Sequence, residues 1–186
     1  MFNENELAIR MLNKEDLYPE LLKYFNRFQK VVWVWRSVNG EKILKEEPFI
    51  DDWNDELKKE VVSQDFKKCI EAGGVVLGGF IDNKLMAFAT LKNDFFGRSN
   101  QYVLLSQLHV SYEYRHFGIG KCLFKKCVTI AKEWGAKKIY ISAHSAEETQ
   151  RFYKKLGCVE AEEINKKLVE HEPFDCQLEY VVYVHK

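Results

Sequence analysis

Arg115-His116-Phe117-Gly118-Ile119-Gly120 lies between an alternating apolar stretch, Leu104 to Val110, and a long amphipathic one that ends at Trp134. A strand feeding a glycine turn at a helix start can hold an anion, because unpaired backbone N–H groups converge there and the helix dipole favours negative charge. Two familiar phosphate patterns are excluded by spacing, since neither G-x-x-x-x-G-K-[ST] nor G-x-G-x-x-G is present. Within the alternating stretch, Gln107 and His109 share one face and Ser106 and Leu108 the other. His109 could take up a proton near neutral pH or serve as a hydrogen-bonded core residue. Trp33, Trp35, Phe49 and Trp53 stand near Asp51-Asp52, and an ammonium group is attracted by both aromatic faces and carboxylates. The alternative is that these aromatics fill a core and the aspartates start a helix. A second acidic cluster, Glu170, Glu172 and Asp175, precedes the last strand.

These residues belong to a chain of 186 residues with 28 basic and 28 acidic side chains. The length suits one well-buried domain, so residues 1–186 read as a single unit. A balanced charge argues against a general nucleic-acid or polybasic membrane surface. No apolar run reaches the ~18 residues that a membrane helix needs, and MFNENELAIR lacks the layout of a secretory signal. The expectation is a cytoplasmic protein without nucleic-acid or membrane partners. Cys69, Cys122, Cys127, Cys158 and Cys176 are scattered, and His116, His171 and His185 show no metal spacing. The cysteines read as reduced core residues, and no metal is expected.

The positioning elements follow from periodicity. Leu7 to Leu12 alternates as a strand, and Asn13 offers an N-cap for an amphipathic helix over Leu17, Leu21, Phe25 and Phe28. Gln29 to Phe49 is loosely patterned, with a short strand at VVWVWR, a turn at Asn39-Gly40 and a stop at Pro48. Asp51 or Asp52 starts a helix carrying Leu57, Val61, Phe66 and Ile70, which Gly73-Gly74 ends. Val75 to Ile81 and Leu85 to Leu91 form a hairpin, and Tyr102 to Val110 is a further strand. The helix after the glycine turn carries Leu123, Phe124, Cys127, Val128, Ala131 and Trp134 on one stripe. Lys138 to Ala143 is a strand, Ser145 to Glu148 has the S-x-x-E capping-box form, and that helix runs through Tyr153 to Gly157. Val159 to Ile164 and Cys176 to Val184 complete the strands. The pattern specifies a layered α/β domain with a mixed sheet.

Arg115 to Gly120 matches R/Q-x-x-G-x-G/A. With Leu108-x-Val110 before it and Phe152 to Gly157 (F-Y-K-K-L-G) after it, the chain resembles the GNAT superfamily of acetyl-CoA-dependent N-acetyltransferases. The resemblance covers Gly74 to Gly157. It implies a single layered domain with a mostly antiparallel sheet, a splayed parallel strand pair and flanking helices. Acetyl-CoA is then the donor substrate, its pyrophosphate held by Arg115, His116, Phe117, Gly118, Ile119 and Gly120, with Lys121 at the rim. Glycines at 118 and 120 would let the backbone approach the phosphates. Leu108, His109 and Val110 would present the thioester, a backbone N–H there stabilising the oxyanion. Tyr153 occupies the position of the acid that protonates the leaving thiolate, and a phenol of pKa ~10 can serve a thiol of ~8.5. Family members often hold the pantetheine arm with an asparagine near the start of that helix. Here His144, Ser145 and Ala146 stand there, so Ser145 is the candidate, although an N-cap role competes for its hydroxyl.

The resulting expectation is acetyl transfer to a primary amine, on a small molecule, by direct attack in a ternary complex. Tyr153 and His109 are the candidate catalytic residues, and Trp33, Trp35, Asp51, Asp52 and Trp53 the candidate acceptor site. A homodimer is an open option. Acetylation of a protein lysine or N-terminus, and a non-catalytic acetyl-CoA sensor, are the alternatives.

Overall fold

The computed structural model describes residues 7–182, so His185 and the last two residues of the expected Cys176 to Val184 strand lie outside the described residues. Strand β1 (Ala8–Met11) leads into a complete capping box, in which Asn13 and Asp16 exchange side-chain and backbone hydrogen bonds. The helix expected over Leu17 to Phe28 does not follow, and only a 3₁₀ turn, Lys14–Asp16, forms. Pro19 is the physical reason, because a proline ring pushes the preceding residue out of the helical region. Leu21, Leu22 and Phe25 are still buried, so their spacing serves the packing of a turn-rich segment.

The loosely patterned region is a long hairpin. Strands β2 (Gln29–Val38) and β3 (Glu41–Asp51) form their own two-stranded sheet, turned by Asn39 at φ 52° and Gly40 at φ 84°. Pro48 does not end it: it sits where the register shifts between Val31 and Trp33, a place where a missing N–H costs no ladder bond. Asn54, rather than Asp51 or Asp52, caps the next helix by accepting the Leu57 N–H. That helix is composite, with α1 (Asp55–Glu60), a π turn (Val61–Phe66) and α2 (Lys67–Glu71). The five-residue step from Val61 to Phe66, between two four-residue steps, is the spacing that an i→i+5 turn keeps on one face.

The main sheet continues with β4 (Val75–Ile81), β5 (Lys84–Phe96) and β6 (Tyr102–Val110), followed by α3 (Ile119–Glu133), β7 (Lys138–Ala143) and α4 (Glu147–Lys155). Then come β8, which is only Val159–Glu160, a short helix α5 (Lys166–His171) that is absent from the sequence expectations although Asn165 caps it by accepting the Leu168 N–H, and β9 (Cys176–Val181). The seven strands run in the order β1-β4-β5-β6-β7-β9-β8, and all neighbours are antiparallel except β6 and β7. One face packs on α3 and α4 through residues such as Val103, Leu105, Leu123, Phe124 and Ile141. The other meets the composite helix through Phe66, Cys69, Val76, Leu85 and Phe88.

Two irregularities shape the middle of this sheet. The parallel pair is bonded only at Tyr102, Val103 and Leu104, against Lys138, Ile139 and Tyr140, and then splays, as expected for that pair. Its closed end is fixed by Glu179, 2% exposed, which accepts from Tyr102 Oη at 2.5 Å and Lys138 Nζ at 2.7 Å. A buried carboxylate is tolerable only with such partners. The second irregularity is a bulge: Thr90 pairs with Gln107 but Leu91 with Leu105, leaving Ser106 as the extra residue of β6. The bulge shifts the alternation. Leu105 and Leu108 both pack toward α3, while Gln107 and His109 turn to the composite-helix side.

Candidate active site

A cleft of about 1160 Å³ passes through the split between β6 and β7. Its lining includes Gly118, Gly120 and Lys121 at the start of α3, Leu105 to Val110, Ile141 to His144, Tyr153, and Asp65, Glu172 and Asp175. Most of the residues singled out from sequence therefore meet in one space.

At one end lies the glycine turn. Gly118 takes φ 80° and His116 φ 68°, so position 118 needs the left-handed backbone that glycine adopts freely. Gly120 answers a different demand, because a Cβ there would come within 3.2 Å of the Phe152 ring. The Arg115 guanidinium is spent on the turn itself, donating to Val110 O at 3.1 Å and Arg27 O at 3.0 Å. His116 is exposed and lies 3.5 Å from Glu148, and Phe117 stands outside the lining. As at any helix start, the first N–H groups of α3 have no intrahelical acceptor, so backbone and Lys121 supply the positive character here.

Tyr153 is 6% exposed and packs edge-on to Phe124 and Phe152. Its hydroxyl has no hydrogen-bond partner among the described residues. Burial, then the neighbouring Cys158, Cys127 and Asp175, raise the phenol far above its ordinary range, so it carries its proton at any physiological pH. His109 is wedged against Trp53 at 5.0 Å and Phe88 at 5.3 Å between ring centroids. Burial, helped by the fields of Arg27, Arg115 and His144, holds its imidazole well below the usual range. It is neutral at pH 7 and weakly basic.

Ser145 is a correction. Ala146 occupies the N-cap of α4 with no side-chain cap, so the S-x-x-E box does not form. The Ser145 hydroxyl accepts from Arg36 Nη1 at 2.7 Å, and its carbonyl accepts the Trp35 N–H at 2.8 Å. The β2–β3 hairpin docks on this loop, and that tertiary contact takes the groups a cap would have used. Ser145 is buried and lies outside the cleft lining.

The aromatic and acidic stretch divides. Trp53 touches His109, and Asp51 pairs with Arg27 at 2.5 Å, which brings both against the cleft wall. Trp33 and Trp35 lie on the hairpin outside the lining, and the Asp52 carboxylate accepts the Trp53 N–H at 2.8 Å. Sequence reasoning missed Arg27, 7% exposed and lining the cleft, and no local pattern marks it. It also missed Asp65, whose Oδ2 accepts from Gln107 Nε2 at 2.7 Å. The irregular Val61 to Phe66 step was the available signal for that one. Among the described residues no group of three or more His, Cys, Asp or Glu side chains could hold a metal ion, and no helix is long and apolar enough to cross a membrane.

The model of the acetyltransferase (GNAT) family matches residues 38–158. A nourseothricin acetyltransferase has the same fold, with a TM-score of 0.69 at 14% identity over 96% of this chain and 99% of that one. A protein described as a streptothricin acetyltransferase from Bacillus anthracis, in complex with acetyl coenzyme A, gives 0.69 at 20% identity over 96% and 99%. A GNAT acetyltransferase from Staphylococcus aureus gives 0.62 at 18% over 95% and 99%. Likenesses at these identities establish the fold. A search of curated protein sequences found no match.

Proposed function

The chain belongs to the acetyltransferase (GNAT) family, and from that premise we propose that it moves the acetyl group of acetyl-CoA to a primary amine of a small molecule, by direct attack. The observation that carries this reading is the meeting, in one cleft, of the α3 glycine turn, the splayed β6 edge and the protonated Tyr153. The first N–H groups of α3, with Lys121, receive the pyrophosphate. Beyond Leu104 the β6 edge has no strand partner on the β7 side, and its backbone groups are available to the pantetheine arm and to the thioester oxygen. The Tyr153 hydroxyl, without a protein acceptor, is the proton source for the departing thiolate. Two structural neighbours named for the small molecules nourseothricin and streptothricin support a small acceptor.

A thermal-shift titration with acetyl-CoA, followed by an amine panel read out as free thiol, tests this. Saturation at a hundredfold excess over Kd should stabilise the fold by about 2.7 kcal/mol, and at least one polyamine, aminoglycoside, amino acid or peptide should release thiol. Absence of stabilisation removes the donor assignment. Turnover on peptides alone replaces the small molecule by a protein acceptor.

A further inference from the structure

Leu108 and Val110 pack toward α3, as do Ile141 and Ala143 of β7. Strand alternation therefore turns Gln107 and Ser142 to the opposite face of the sheet, one on each side of the split. Gln107 gives an amide N–H to Asp65, which sets the amide so that Oε1 is the free atom. That oxygen is buried and has no hydrogen-bond partner among the described residues. An unsatisfied buried acceptor is costly, and a ligand N–H would remove the cost.

Across the split, a directed chain of hydrogen bonds ends at a carboxylate. The Asn165 N–H donates to Tyr140 Oη at 2.9 Å, and Tyr140 donates to Gln177 Oε1 at 2.9 Å. Gln177 Nε2 donates to Ser142 Oγ at 3.0 Å, and Ser142 donates to Asp175 Oδ2 at 3.1 Å. The Ser142 hydroxyl already accepts from Gln177, so its own hydrogen is free for Asp175. The carboxylate thus accepts from one neutral donor, the Ser142 hydroxyl, which Gln177 in turn orients, and among the described residues no cation pairs with it. The titratable groups near it are Glu172 at the end of α5, Tyr153 on α4 and Cys176 in β9. Burial, with Glu172 adding and the Ser142 bond opposing, pushes the carboxyl up to about 6. His109, the other candidate base, is held below its ordinary range and would take a proton less readily.

We infer that Gln107 Oε1 and the Asp175 carboxylate together seat the primary ammonium of the acceptor, and that Asp175 takes its proton. Two hydrogen-bond acceptors without a paired cation suit a group that is all donors. This inference rests on the acetyl-transfer reading. The ammonium gives one proton to Asp175, and the freed nitrogen lone pair forms the C–N bond as the C–S bond breaks. Tyr153 protonates the thiolate, the second proton lost from nitrogen restores the phenol, and Asp175 releases its proton to solvent. One proton is released per acetyl group transferred.

The test is kcat/KM against pH, from about pH 5 to about 9, for the native protein, D175N, S142A and Q107L. It uses the fastest amine of the panel, with n-butylamine as a bare probe, and acetyl-CoA affinity measured in parallel. The native profile should fall on the acid side with a limb near 6, the value to which the Asp175 carboxyl is raised. D175N should lose ~10²–10⁴-fold and the limb with it, S142A should move the limb, and Q107L should raise KM for the amine. Acetyl-CoA affinity should hold in all three. A D175N protein with native kcat/KM and an unchanged limb overturns the inference and leaves acetyl transfer standing. If D175N does not fold, an unmoved limb in S142A overturns it. Acetyl-CoA binding without thiol release from any amine overturns the transfer reading and this inference together.

Discussion

The two ends of the cleft are built from different materials. The α3 end is made of backbone: a glycine turn, a helix start and a strand edge, all within Leu104 to Lys121. The other end is made of side chains drawn from distant segments, with Arg27 before β2, Asp65 in the π turn, Gln107 on β6 and Asp175 before β9. A backbone site of this kind depends on sign-of-φ and close-approach constraints that glycine meets most readily, so it leaves a short motif. A side-chain site depends on where irregular elements bring separate residues together. It can change its contents without altering the scaffold.

Substitutions can break or sharpen this contrast. The largest effect is expected where the two ends meet: Y153F should lower kcat by ~10²–10⁴-fold with acetyl-CoA affinity nearly unchanged, measured by stopped assay and calorimetry. Loss of affinity instead would make Tyr153 part of the donor seat alone. Next, G118V forces a β-branched residue into a left-handed conformation, costing about 1–2 kcal/mol. Acetyl-CoA binding should weaken by roughly tenfold while KM for the amine stays near native. An equal rise in both constants would show that the ends are mechanically coupled. The smallest effect is expected from D65A, which frees the Gln107 amide from one hydrogen bond worth about 0.5–1.5 kcal/mol. It should raise KM for the amine a few-fold and leave acetyl-CoA affinity alone, and the reverse pattern would erase the distinction.

How much of this could be read from the chain follows the same division. The β4–β5 turn, β6, the glycine turn, α3 and β7 are where periodicity and turn residues place them, because each is determined by its own short stretch, whereas β5 runs on to Phe96, five residues past the end expected at Leu91. Failures occur where a nearby or distant group overrides a local signal. Pro19 cancels a helix that the spacing of Leu17, Leu21 and Phe25 otherwise describes. Arg36, 109 residues away in sequence, takes the Ser145 hydroxyl that S-x-x-E reserves for a cap. Asp175 is visible as part of an acidic cluster, but its orientation comes from Tyr140, Gln177 and Ser142, and no local pattern encodes that chain.

The cleft does not indent the sheet; it pierces it. The glycine turn and Tyr153 belong to the α3 and α4 face, whereas Gln107 and the Ser142–Asp175 pair belong to the face of the composite helix and α5. Such a passage has two doors. On the proposed reading, donor and acceptor would arrive and leave on opposite sides, neither having to wait for the other to clear a shared entrance, and the acetyl group would cross from one to the other in the plane of the strands. No side chain would then be required to hold it in transit, and the gap between β6 and β7 would itself be the place of exchange.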